Sequence, residues 1–130
     1  MRQTTRRGIL ALGGALVASG GLAGAAFAHH GWSWTEDGFF QLEGVVREVY
    51  VGNPHATLDV DVEGTIWRVE LAPPYATRAA GFTEDSAAPG EEVTAIGNRS
   101  REDTEPRMKA VRLIVRGTTY DVYPRRTDGL

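Results

Sequence analysis

The strictest pattern in the chain is an alternation. From Thr57 to Glu63, Leu58, Val60 and Val62 fall on one side and Thr57, Asp59, Asp61 and Glu63 on the other. Gly64 then turns the chain into Thr65 to Leu71, where Trp67, Val69 and Leu71 share one face and Arg68 and Glu70 the opposite one. A period of two belongs to a strand with one buried and one wet face, so the two runs predict a tight hairpin.

The remaining segments extend that pattern. Gln41 to Val51 is rich in Val and interrupted by Gly44, which predicts a long first strand that bends at a bulge there. Gly52-Asn53-Pro54 is a turn signal, because Pro54 lacks a donor and restricts Asn53. Tyr75 to Phe82 carries helix formers for about two turns, with Pro74 suited to the first helical position and Gly81 to the stop. Glu92 to Asn98 and Lys109 to Arg116 predict two further strands, separated by a charged loop from Arg99 to Pro106. Thr119 to Tyr123 reads as an edge strand ended by Pro124. Three strands, a short helix and two strands is the layout of the OB-fold, and a long bent first strand suits that barrel. The rival, a small immunoglobulin-like sandwich, wants seven strands and no helix. The expected class is all-β with one short helix, a small OB-like five-stranded barrel. A chain of 130 residues is one domain.

The first 28 residues have the three parts of an export signal. Arg2, Arg6 and Arg7 form a positive start, Ile9 to Phe27 is uncharged, and Ala26-Phe27-Ala28 places small residues before a cut at His29. The start Thr5-Arg6-Arg7-Gly8-Ile9-Leu10 resembles the twin-arginine signal, which implies a periplasmic or secreted protein. The alternative is a retained membrane anchor, but a glycine-rich stretch makes a poor spanning helix. The organisation expected is a signal over 1–28, an extended segment over 29–40, the barrel over 41–123 and a tail over 124–130. No stable membrane span is expected after cleavage.

Charge narrows the partners. The chain has 14 basic and 17 acidic residues; without the three signal arginines the body holds 11 against 17, a net of −6. Such a body repels phosphate backbones, so nucleic acid is not an expected partner. No cysteine is present, which excludes disulfides, thiol nucleophiles and Cys-ligated metals.

Several motifs recur together in one exported bacterial family. They are His29-His30-Gly31, Leu42-Glu43-Gly44-Val45-Val46, Asn53-Pro54-His55, the stretch from Gly81-Phe82-Thr83 to Asp85-Ser86, and Pro89-Gly90-Glu91-Glu92-Val93-Thr94. In this order they resemble the proteins grouped as domain of unknown function 6152, over His29 to about Val115. That family implies no activity, so function rests on the residues.

The chain has three histidines: His29 and His30 at the expected mature start, and His55 in the loop after the first strand. That loop and the loop between strands four and five flank the ligand face of an OB barrel. A terminal His29 offers its α-amine and imidazole to one ion, and His30 or His55 would complete an all-nitrogen set suited to Cu(II). This resembles the histidine brace of exported copper proteins, by chemistry and not by fold. A cut after Ala26 would instead leave His29 third, resembling the amino-terminal copper and nickel motif. The structural alternative is that all three are solvated or turn-bonded histidines.

Trp32, Trp34, Phe39 and Phe40 follow directly. On an extended segment Trp32 and Trp34 project to one side and could dock a partner; the competing role is to close the barrel end. Arg99 and Arg101 belong to a mixed-charge loop in which Glu102, Asp103 and Glu105 interleave. Asp59 and Asp61, about 7 Å apart on one strand face, read as wet surface rather than a hydrolytic pair. Phosphate-loop, nucleophile-elbow, EF-hand and H-E-x-x-H patterns are lacking. The expectation is an exported binding protein and not an enzyme, with copper(II) as its cofactor. The alternative is a metal-free module that docks an exported protein partner through Trp32, Trp34, Arg99 and Arg101. A copper-dependent oxidase ranks last, because the body is too small for both a brace and a polysaccharide platform.

Overall fold

The computed structural model of the chain describes residues 30–130. The expected signal peptide, His29 and the imidazole of His30 lie outside the described residues. Residues up to Ser33 form a unit of their own, whose described part holds a one-turn 3-10 helix, His30–Trp32. The segment 29–40 is therefore not extended throughout, and the alternate-side argument for Trp32 and Trp34 loses its premise.

The second unit, Trp34–Leu130, is built from six strands and one helix: β1 Phe40–Tyr50, β2 Thr57–Val62, β3 Thr65–Glu70, α1 Pro74–Ala79, β4 Glu92–Arg99, β5 Arg107–Val115 and β6 Thr118–Asp121. The strands run β3-β2-β1-β4-β5-β6, and a parallel pairing of β3 with β5 closes the first five into a barrel. Five strands in that closed order, with one helix between β3 and β4, form an OB-like barrel. β6 is added outside the closure, antiparallel to β5.

Sequence chemistry explains the joints. β1 pairs with β4 over Phe40 to Val45 and with β2 over Val45 to Tyr50, so one strand serves both halves. The bulge falls between Val46 and Glu48, not at Gly44. Gly44 serves a different need: a Cβ there would lie 2.5 Å from the Asp61 carbonyl oxygen and 2.8 Å from a Val60 methyl. The β2–β3 turn has both central residues, Glu63 and Gly64, at positive φ (52° and 94°), the two-residue turn whose twist matches the strands. α1 starts at Pro74 as expected but ends at Ala79, and Gly81 at φ 95° turns the chain away. The expected tail opens with a short 3-10 helix, Pro124–Arg126.

The inward sides meet in one core. Val46, Leu58, Val60, Val69, Leu71, Phe82, Met108 and Leu113 are all fully buried. The alternation of β2 is realised, and its outer carboxylates are each taken by an arginine: Asp59 by Arg68 and Asp61 by Arg47, both at 2.6 Å. Carboxylates so occupied are surface pairs, not a hydrolytic dyad.

Candidate functional site

The parallel β3–β5 pairing decides what meets at the barrel rim. It sets Glu70 opposite Lys109, and so brings the end of β3 and the β1–β2 loop to the base of the β4–β5 loop. The β1–β2 loop is tied there by two backbone bonds, Leu71 N–H to the Ala56 carbonyl (2.8 Å) and Ala56 N–H to that of Ala72 (3.0 Å). His55, next to Ala56, thus stands in the field of both Glu70 and Lys109.

Around Glu70 the cations outnumber the carboxylates. Arg107 donates to it at 2.9 Å through Nε and pairs with it at 2.6 Å through a terminal nitrogen. Lys109 is only 2% exposed, and its ammonium lies 5.6 Å from the Tyr123 ring. Burial holds the Lys109 amine below its ordinary pKa of 10.5; Glu70 opposes this, while Arg126 and Arg107 add to it. Burial, then the charge of Lys109, keeps His55 below its ordinary 6.5 against the pull of Glu70. Burial, with Glu70, pushes the Tyr123 phenol up to about 12. His55 is therefore a neutral imidazole at pH 7, the form whose lone pair can ligate a metal.

The chain leading to β1 lies against the second rim loop. Thr35 and Ser100 form an isolated antiparallel bridge, flanked by Glu36 N–H to the Arg99 carbonyl (2.8 Å) and Arg101 N–H to that of Trp34 (3.0 Å). The Asn98 carboxamide adds bonds to the carbonyls of Glu36 and Gly38. Ser100 is buried and accepts the Glu102 N–H while donating to Glu105, so the loop is braced from within. Trp34 lies against the guanidinium of Arg107, 3.7 Å from ring centroid to Cζ.

The residues proposed from sequence are thus distributed. His55, Trp34 and Arg101 belong to the rim, with Arg101 exposed. Arg99 turns inward against Phe40 and Trp67. Trp32 lies in the first unit. Among the described residues no three His, Asp or Glu side chains are grouped to share a metal ion. None of the described helices is long and apolar enough to cross a membrane.

Residues 16–108 match the model of a family of unknown function, DUF6152. The chain belongs to this family. In this DUF6152 protein the match spans all of β1 to β4 and ends at the start of β5. No protein with a curated description matches the sequence. Among solved structures, the chain is similar to one from the S. pombe Stn1–Ten1 complex (20% identity, TM-score 0.44), covering 59% of this chain and 57% of that one. It is also similar to a ZRD-deleted mutant of TiaS in complex with agmatine (14% identity, TM-score 0.48), covering 65% of this chain and 26% of that one. The DUF6152 chain therefore spans little more than half of the first and about a quarter of the second, and the strand order alone carries its fold.

Sequence reading missed Glu70 and Lys109 as neighbours of His55, and Arg107, Tyr123 and Arg126 as neighbours of that pair. Lys109 is the only lysine of the chain and opens a predicted strand, which is a visible oddity. Its meeting with Glu70, 39 positions earlier, follows from a parallel pairing that no local pattern encodes.

Proposed function

We propose that this DUF6152 protein is an exported small binding protein that takes Cu(II) through the terminal His29, with His30 and His55 supplying further nitrogens. The observation that carries this reading is the neutral His55 imidazole on a rim loop of the barrel. Glu70 offsets the field of Lys109 at that ring, which a cation must also meet. Export by the twin-arginine route, with cleavage before His29, is part of the proposal, because it creates the terminal amine.

The exported protein is to be weighed intact and titrated with Cu(II) by calorimetry and spin resonance. The expected result is a mass beginning at His29 and one saturable, nitrogen-rich site, weakened at least about tenfold by His55→Ala. A protein that starts elsewhere without a histidine in its first three positions, or that takes up no copper saturably, overturns the reading.

The second reading, a metal-free module docking an exported protein, is favoured by one contact: Trp34 is already ordered over Arg107, beside the exposed Arg101. A preformed aromatic next to an exposed cation loses little entropy on binding. A flat copper titration would leave this reading in place.

A further inference from the structure

Six arginines of the barrel, Arg47, Arg68, Arg78, Arg107, Arg112 and Arg116, each meet a carboxylate at 2.6–2.8 Å. Arg99 is built differently. It ends β4 on the strand face that carries Val93, Ala95 and Gly97, so its stem points to the barrel interior. Its Cζ lies 5.1 Å from the Phe40 ring centroid and 5.2 Å from that of Trp67, and these rings stack on each other at 5.4 Å. Its Nε is buried and, among the described residues, has no hydrogen-bond partner. The two terminal amino nitrogens are not shut off in that way, and among the described residues no carboxylate neutralises them.

A half-buried guanidinium without a counter-ion is costly, and contact with two rings repays only part of it. What the arrangement achieves is orientation. The ring pair restrains the planar fork, so a ligand that engages it immobilises little further. Two parallel N–H groups of such a fork match a carboxylate. The body's net charge of −6 penalises a dianion more than a monoanion, which disfavours phosphate. The apolar rings of Phe40 and Trp67 beside the fork favour a flat apolar body behind the carboxylate. We propose that Arg99, held by Phe40 and Trp67 at the mouth of the barrel, anchors a binding site for an aromatic carboxylate. The site uses none of the three histidines, so it stands or falls apart from the copper reading, and it gives Arg99 a small-molecule occupant in place of a protein partner.

Calorimetric titration of the full exported protein with benzoate tests this, with acetate and inorganic phosphate as parallel probes and the Arg99 Nε–H followed by NMR. Benzoate is expected to saturate one site and shift that proton, with acetate and phosphate at least about tenfold weaker. Arg99→Met should lose at least about tenfold in benzoate affinity, and His55→Ala should lose none. If Arg99→Met fails to fold, Arg99→Lys keeps the charge without the fork and should show the same loss. No saturable benzoate binding by the unaltered protein, unchanged binding in the Arg99 variant, or phosphate binding as tight as benzoate overturns the proposal.

Discussion

The outer wall of the barrel and the β3–β5 seam use the same residue types to opposite ends. On the wall, charges are matched one to one across neighbouring strands: Asp59 stands in register with Arg68, and Asp121 with Arg112. There a hydrogen bond to the partner across the sheet is the main cause that holds the Asp61 carboxyl below its ordinary pKa and the Arg68 and Arg112 guanidinium groups above theirs. At the seam, Glu70 faces Arg107 and Lys109, with Arg126 and His55 in reach of the same field. Burial leads every shift there, and it favours the neutral forms of His55, Lys109 and Tyr123. The lesson is that an exposed pair is tuned chiefly by its own partner, whereas an unequal, desolvated cluster couples several ionisations.

The largest effect that would sharpen this contrast lies beneath the seam. A Cβ at Gly97 would run into the Lys109 carbonyl oxygen and come within 2.7 Å of the Ala110 Cα. Backbone cannot move aside as a side-chain tip can, so Gly97→Ala is expected to cost about 3 kcal/mol or more in denaturant unfolding. An unchanged midpoint would mean that β4 and β5 are not packed so closely at Lys109.

The next effect is a pH dependence of opposite sign at the two ends of the scale. His55 binds its proton less readily folded than unfolded. Its contribution is therefore intact above pH 6.5 and turns unfavourable as pH falls through the folded pKa. Tyr123 keeps its proton to about 12 when folded, against about 10 when unfolded, so stability falls as pH rises between those values. Lys109 acts against that loss only up to 10.5, where the unfolded amine also gives up its proton. Thermal melts should show Tyr123→Phe removing the decline above pH 10, and His55→Gln flattening the acid side. Identical pH profiles for these variants and the parent would break the distinction between seam and wall.

The smallest expected effect belongs to the wall. A double-mutant cycle on Arg68 and Asp59 should give a coupling below about 1 kcal/mol that shrinks further in high salt. A coupling of several kcal/mol, insensitive to salt, would show that the wall is electrostatically buried after all.

Local patterns carried most of the barrel. The β2–β3 hairpin, its glycine turn, the long first strand and the proline start of α1 were all legible, because each depends on residues close in sequence. The bulge was misplaced onto Gly44, since a glycine marks a close backbone approach as readily as a bulge, and only the neighbouring strand distinguishes them. The candidate site was read in fragments. His55 stood out as a lone loop histidine, and the charged segment from Arg99 as a loop, but Arg99 was legible only as a partner-docking residue of that mixed-charge loop. That it turns onto Phe40 and Trp67 depends on β1, β3 and β4 converging at one barrel end.

By itself the sequence determined the strands, the turns, the family and which side of β2 and β3 is wet, because alternation and turn chemistry act over a few residues. Tertiary structure alone decided that Glu70 meets Lys109, that a neutral His55 stands beside them, and that Arg99 lies against two rings. Those meetings depend on how the sheet closes, and closure is a property of all five strands together, set by the parallel register of β3 on β5.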